Sequence, residues 1–386
     1  MPNFSIHTKL SGFYLFYYAI IGVFMPFWNL YLQNQGMSFE QIGILSSIAI
    51  MTRFFAPLVW GWVADKTGKR MLLIRVATCV ESMVWLAVFV IPNQFQYIAM
   101  LMLVFSFFQN AILAQFESVT LFWLGNEKTQ RYGQIRKWGS VGFIVAVFGT
   151  GHALDLISIQ FLPVILLGVS LFTFLWAFIV QEPHAAPKAQ QRLTPILSIL
   201  RQKHVAIFFI IEFILLSSFA PFYSFYSNYM HQQRYTTTFI GIFWAVGVIA
   251  EIIMFAHAAK LLHRFSWRQL IGCCLLLTSL RWLMVGIFPQ LIYVQVFAQM
   301  IHAFSFGLFH VIAMRLISAS FDPSQQGRGQ AVYSTVWGIG VALGSLIAGH
   351  YWQIYSGPSI FIGASLLVLC AMPLVYGLPR HPVSQL

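Results

Sequence analysis

Apolar runs separated by short polar breaks cover nearly the whole chain. A helix needs about 20 mostly apolar residues to cross a bilayer. Lipid offers no hydrogen bonds, so a spanning backbone has to satisfy its own polar groups, as a helix does. Twelve runs are long enough: roughly 10–32, 41–64, 71–91, 97–124, 138–158, 161–180, 204–230, 238–260, 268–288, 291–318, 329–354 and 358–378. They predict an all-α integral membrane protein with twelve transmembrane helices. The longest internal polar stretch, 181–203, is rich in Gln, Pro, Ala and Lys. It reads as a cytosolic linker between an N-terminal six-helix half, 1–180, and a C-terminal half, 204–386.

The two halves echo each other. Phe24-Met25-Pro26-Phe27-Trp28 in span one matches Phe219-Ala220-Pro221-Phe222-Tyr223 in span seven. Ile42-Gly43-Ile44 opens span two and Ile240-Gly241-Ile242 opens span eight; Gly133-Gln134 precedes span five and Gly329-Gln330 precedes span eleven. Three matches in one order, offset by 195 to 198 positions, argue for an internal repeat. Repeated six-helix halves with a site between them are a transporter architecture. The same register sets Arg53 in span two against Glu251 in span eight, opposite charges in equivalent places.

Composition and charge narrow the class. Of 386 residues, 59% are hydrophobic and 8% charged, where a soluble domain carries about a quarter charged residues. One soluble core cannot hide that much apolar surface, so lipid is the implied solvent. The net charge of +12 raises nucleic acid as a partner. The placement of the charges excludes it, because they fall in short loops rather than with solvated aromatics on one face. With the N-terminus in the cytosol, 19 of the 22 Lys and Arg lie on the cytosolic side, including Arg136 and Lys137 before span five and Lys188 and Arg192 in the linker. The positive-inside rule then puts both termini in the cytosol. Cys79, Cys273, Cys274 and Cys370 all sit in apolar runs without metal-ligand spacing, so no disulfide, metal or cofactor is expected. The first run is too long for a cleavable signal peptide and lacks a small-residue cleavage site.

Charge within lipid is costly, so an intramembrane ionisable residue is a functional hypothesis. Glu251 and Arg281 each lie about 13 residues into their spans, near mid-bilayer at 1.5 Å per residue. On span ten, His302 and His310 would lie about 80° apart around a regular helix and about 12 Å apart along it. A Glu, an Arg and two His at similar depth suit a proton relay. The alternative is a permanent Glu251–Arg281 pair that locks spans eight and nine; either way, removing one partner alone is harmful. In the first half, Asn110 and Glu117 share one face of span four, and Arg53 either pairs with Glu117 or attracts a substrate carboxylate. Glu81 and Glu212 lie eight or nine residues from the cytosolic end and rank below these. Arg315 reads as snorkelling to the cytosolic interface. Tyr17 and Tyr223 belong to aromatic-rich spans one and seven and are candidates to stack on a substrate ring, although aromatics in spans also serve interfaces and lipid packing. Gly139, Gly142 and Gly149 in span five, with Gly340 and Gly344 in span eleven, permit close helix contact.

Between spans two and three runs Gly61-Trp62-Val63-Ala64-Asp65-Lys66-Thr67-Gly68-Lys69-Arg70. It reads as a tight basic loop, with Gly61 and Gly68 for close approach and reversal and Asp65 a lone acid among cations. The spacing Gly-x-x-x-Asp-x-x-Gly-x-Arg resembles the signature loop between helices 2 and 3 of the major facilitator superfamily. Within it, the chain is similar to the branch of the phenylpropionate permeases, itself related to sugar and nucleoside proton symporters. The residues behind this are the run from Tyr132 to Ser140, Gly247-Val248-Ile249-Ala250-Glu251, Arg281-Trp282, the His302, His310 and Arg315 series, and Gln330-Ala331-Val332-Tyr333-Ser334.

The resemblance covers essentially the whole chain and implies the major facilitator fold, with two pseudo-symmetric halves rocking about a central site under a proton gradient. It implies a bacterial inner membrane, a monomer, and a cytosolic gate at Gly61, Asp65, Gly68 and Arg70. The matching loop near Lys260 to Arg268 lacks the pattern, with His263 where the acid would stand. Drug/proton antiporters of the superfamily usually carry Gly-Pro late in helix 5; here the stretch is Gly149-Thr150-Gly151-His152, which favours import.

The expected function is therefore proton-coupled uptake of a small organic acid such as 3-phenylpropionate, with a neutral sugar or nucleoside as the alternative substrate. Its partners are that solute, protons and the bilayer. The expected coupling residues are Glu251, Arg281, His302 and His310; the expected substrate contacts are Arg53, Asn110, Glu117, Tyr17 and Tyr223. An enzyme would need a nucleophile with a base, or a metal site, and neither His-Glu-x-x-His nor Gly-x-Ser-x-Gly occurs. A two-fold repeat with paired mid-membrane charges argues against a scaffold, in which such charges cost stability without return.

Overall fold

The computed structural model describes residues 4–125, 128–182, 196–322 and 325–380. The linker positions 183–195, with Lys188 and Arg192, lie outside the described residues. The first six long helices are α1 (Ile6–Asn34), α2 (Phe39–Thr67), α3 (Arg70–Ala87), α4 (Phe95–Leu124), α5 (Lys128–Ile157) and α6 (Leu162–Trp176). After a single turn at Leu197–Leu200 come α7 (Lys203–Gln232), α8 (Thr237–Arg264), α9 (Trp267–Ile287) and α10 (Ile292–Ser320). The last long helix, Gln326–Leu369, is broken at Ser356, where φ is 64°. It divides into α11 (326–355) and α12 (357–369). The break falls where Ser356-Gly357-Pro358 predicts it, since Pro disfavours helical geometry in the residue before it and cannot donate to the preceding turn.

Ten helices among the described residues are long and apolar enough to span a membrane by themselves. The count rises to twelve once the last is split and α3, whose 18 residues carry Arg70, Arg75 and Glu81, is included. Sequence signals set several helix ends. Ser38 with Gln41, and Ser266 with Gln269, form reciprocal capping boxes at the starts of α2 and α9. Pro26 and Pro221 sit inside α1 and α7 at equivalent places in the repeat; neighbouring helices make such interruptions tolerable in a membrane protein.

Contacts divide the chain into two units, with the division falling between Ala245 and Val246 inside α8. One unit holds α1–α6 together with Arg234–Ala245; the other holds α7 and everything from Val246 onward. The core of the first unit joins Phe13, Tyr14 and Tyr17 of α1 to Met71 and Ile74 of α3 and Phe116 and Val119 of α4. Leu58, Trp62, Met83, Leu86, Met100 and Val145 face outward, as lipid contact requires. Backbones come close where α1 meets α5 and where α7 meets α11. A Cβ at Gly142 would lie 2.0 Å from the Leu15 carbonyl, and one at Gly344 would lie 2.5 Å from the Ser217 carbonyl. Thus each unit sets backbone against backbone between the same pair of helices of its repeat, using small residues as membrane helices do. Gly149, grouped with Gly142 in the sequence, has nothing within 4 Å of its would-be Cβ.

The signature stretch is not a loop through most of its length. α2 continues to Thr67, so Gly61 and Asp65 are helical, and Gly61 meets no close neighbour. Only Gly68 and Lys69 connect α2 to α3. Gly68 takes the left-handed conformation (φ 67°) and donates to the Ala64 carbonyl at 2.8 Å, a helix ending that glycine makes without a Cβ clash.

Candidate functional site

In the second unit, Arg281 of α9 is fully buried. Its guanidinium donates to Gln299 Oε1 at 2.9 Å and faces His302 Nδ1 at 3.0 Å. Its plane lies over Phe222 and Trp282, 4.4 and 4.5 Å from the ring centroids, an arrangement in which aromatic faces attract a cation. Its Nε has no hydrogen-bond partner among the described residues. On the far side of the imidazole, His302 Nε2 is 3.7 Å from Glu251 Oε2 of α8.

This row fixes the tautomer of a neutral imidazole. Guanidinium groups only donate, so Nδ1 must accept. The ring hydrogen of neutral His302 therefore sits on Nε2, toward Glu251. A second proton on Nδ1 would oppose the Arg281 N–H groups. Protonation of His302 and its contact with Arg281 exclude each other, while protonation strengthens its attraction to Glu251. Glu251 and Arg281 are thus linked through an imidazole.

The two histidines lie closer in rotation than a regular helix allows. Within α10, Ala303–Leu308 is π-helical, and such wide turns are frequent at functional sites. Each π turn takes more residues, which rotates His310 back toward the face of His302. The Phe306 ring stacks on His302 (5.5 Å, 11°) and on His310 (5.9 Å, 10°), so the three rings form one column where 80° of separation was expected. His310 Nδ1 is 3.1 Å from the Tyr333 hydroxyl of α11. Tyr223 packs on Phe219 and Trp337, with centroids at 5.7 and 5.9 Å.

In the first unit, Glu117 of α4 accepts from the Tyr132 hydroxyl at 3.1 Å and pairs with Arg136 Nε at 3.8 Å, both from α5. Arg136 donates to the Tyr18 hydroxyl and lies over the Tyr18 and Tyr14 rings at 4.3 and 5.5 Å. Asn110 spends its amide on α2, donating to Thr52 Oγ1 at 2.7 Å and the Ala49 carbonyl at 3.3 Å. Tyr17 is buried and donates to the Gln109 carbonyl at 3.3 Å, with Arg53 and Glu81 in electrostatic range. The Gln109 amide, turned nitrogen toward the acid, donates to the buried Glu81. At the end of α2, Asp65 Oδ1 accepts from Arg70 at 3.0 Å, and Arg70 also donates to Gln115 of α4. Glu182 accepts from the backbone N–H groups of Met71 and Leu72 (2.9 and 3.3 Å), a carboxylate at the positive end of α3.

The expected Arg281 and Glu251 meet His302 from either side, and Phe306 joins that imidazole to His310. Glu117 finds Arg136, a residue expected among the cytosolic loop cations. α5 starts at Lys128 rather than 138, ten residues earlier than the apolar run. Tyr132 and Arg136, four apart and so on one helical face, were the available signal. Tyr18 was visible as one of the aromatics of span one, while Gln299 and Gln109 had no sequence signal, since neutral polar residues in a span stand out less than charged ones.

Long apolar helices with charged side chains paired inside each unit define a multi-pass membrane protein. The chain belongs to the MFS_1 like family, whose model matches residues 7–362, and so to the major facilitator superfamily. It is 28% identical to the "Probable 3-phenylpropionic acid transporter" of Escherichia coli (strain K12), covering 93% of this chain and 94% of that one. It is 26% identical to the maltose permease of Geobacillus stearothermophilus, covering 90% and 89%. Among solved structures, that of the nucleoside transporter NupG superposes with a TM-score of 0.82 at 17% identity, over 96% of this chain and 99% of that one.

Proposed function

We propose that the protein imports a small organic acid such as 3-phenylpropionate with protons, by alternating access. It does so in a bacterial inner membrane with both termini in the cytosol. The row Arg281–His302–Glu251 carries this reading. In the resting row His302 is neutral and holds the guanidinium. A proton arriving on His302 breaks that contact and completes an ion pair with Glu251. The released guanidinium, flanked by the Phe222 and Trp282 rings, then receives a carboxylate whose ring can join the same aromatic faces. The proton thus precedes the anion, and neither loads well alone. The phenylpropionate relative supports the substrate class.

A second reading has one observation in its favour. Arg136 is already paired with Glu117 and stacked on Tyr18. A neutralised Arg–Glu pair beside an aromatic plane suits a hydroxyl-rich ring, with the carboxylate accepting and the guanidinium donating. That favours a neutral sugar or nucleoside at the first unit.

Uptake of labelled 3-phenylpropionate into proteoliposomes, with and without an inward proton gradient, decides between them. Gradient-dependent accumulation is expected. Its absence with folded protein, alongside accumulation of maltose or a nucleoside, overturns the organic-acid reading.

A further inference from the structure

Glu212 of α7 is fully buried, and neither of its carboxyl oxygens has a hydrogen-bond partner among the described residues. It takes no part in the row built on Arg281. A carboxylate placed there would be an uncompensated charge away from water, among the costliest arrangements in a protein. The neutral acid is the form this environment accommodates, and a neutral acid in a proton-coupled carrier is a stored proton.

Other titratable groups of the second unit bear on it. The Tyr333 hydroxyl of α11 lies in electrostatic range of Glu212, and also of Glu251 on α8 and Tyr223 on α7. From α10 the same hydroxyl meets His310 Nδ1 at 3.1 Å. α7 itself adds His204, whose Nε2 is buried without a partner among the described residues. Two α-helical turns separate His204 from Glu212.

We propose that Glu212 is a second proton-binding site of the carrier, loaded in this conformation and discharged through Tyr333 to His310. In the transfer, the Glu212 O–H bond breaks as the Tyr333 oxygen takes that proton, and Tyr333 gives its own hydrogen to Nδ1 of His310. The products are a carboxylate and an imidazolium, with net charge unchanged. Glu212 is not hydrogen-bonded to Tyr333 here, so the step requires the carboxyl to swing toward the hydroxyl. This inference rests on the proton-coupled reading above but is tested without any substrate.

The test is infrared difference spectroscopy of the full chain in lipid, titrated with pH. A protonated carboxylic acid has a C=O stretching band well separated from carboxylate absorption. Wild type is expected to show a band that bleaches as pH rises. E212Q removes that component and E251Q keeps it. Glu212→Asp, which retains the acid, keeps the band at a shifted position and guards against misfolding of the amide variant. Tyr333→Phe slows deuterium exchange into the band. A spectrum unchanged in E212Q overturns the proposal. So does a Glu212 band that never titrates, since the acid is then a fixed neutral group. Failure of proton coupling itself is read separately, from gradient-dependent flux.

Discussion

Arg281 shows how far a single intramembrane charge can be interpreted. Its depth was legible because charge in lipid stands out; its partners were not, because Gln299 is neutral and the register of His302 depends on a π turn. The guanidinium makes two directed contacts while its Cζ lies over two rings. Lysine keeps the charge but has no planar fork and cannot stack in the same way. Arg281→Lys should therefore fold, judged by size-exclusion profile and helical circular dichroism. It should lose about 10- to 100-fold in gradient-driven uptake, the equivalent of one charge-assisted hydrogen bond of roughly 1.5–3 kcal/mol. Uptake within about twofold of wild type would remove the directed contacts from the mechanism. Arg136 teaches the opposite lesson. It was visible as a cation but assigned to a loop, because α5 begins in polar sequence that hydropathy does not count as span.

Elements were far more legible than side-chain partners. Spans are set by bilayer thickness, which the apolar run length reports directly, and the α11–α12 break is marked by Ser356-Gly357-Pro358. The signature stretch was misjudged as a loop because its cations and glycines look like a connection, while α2 runs on beneath them to Thr67. Glycine content alone also could not say which glycines touch a neighbour. Gly142 abuts a backbone carbonyl, which cannot swing aside, whereas Gly149 on the same helix faces open space. Gly142→Ala should lower the thermal unfolding midpoint in detergent, with an overpacking cost of about 1–3 kcal/mol. Gly149→Ala should leave it unchanged or raise it, because alanine is the better helix former by up to about 1 kcal/mol. Equal effects at the two positions would mean that the α1–α5 approach is not a rigid backbone contact.

At the scale of the molecule, the repeat explains both what is shared and what is not. The close approaches of α1 on α5 and α7 on α11 recur, as do Pro26 and Pro221, so the packing frame is common to both units. The charges have diverged: the position of Arg53 in α2 carries Glu251 in α8. A frame kept twice with its charges altered is what a carrier needs if the two units divide the work, the second holding the proton-handling groups. Glu251→Gln tests that division. The amide keeps the shape beside His302 but can neither carry a proton nor pair with an imidazolium. Net uptake must return the carrier without its proton, so gradient-driven accumulation should fall to the level of empty liposomes. Exchange of external for internal labelled solute needs no net proton movement and should persist, slowed because the amide no longer stabilises the protonated His302 that frees Arg281. Loss of both activities with the protein folded would make Glu251 part of the solute site instead. Retention of driven uptake would move the coupling group away from α8 altogether.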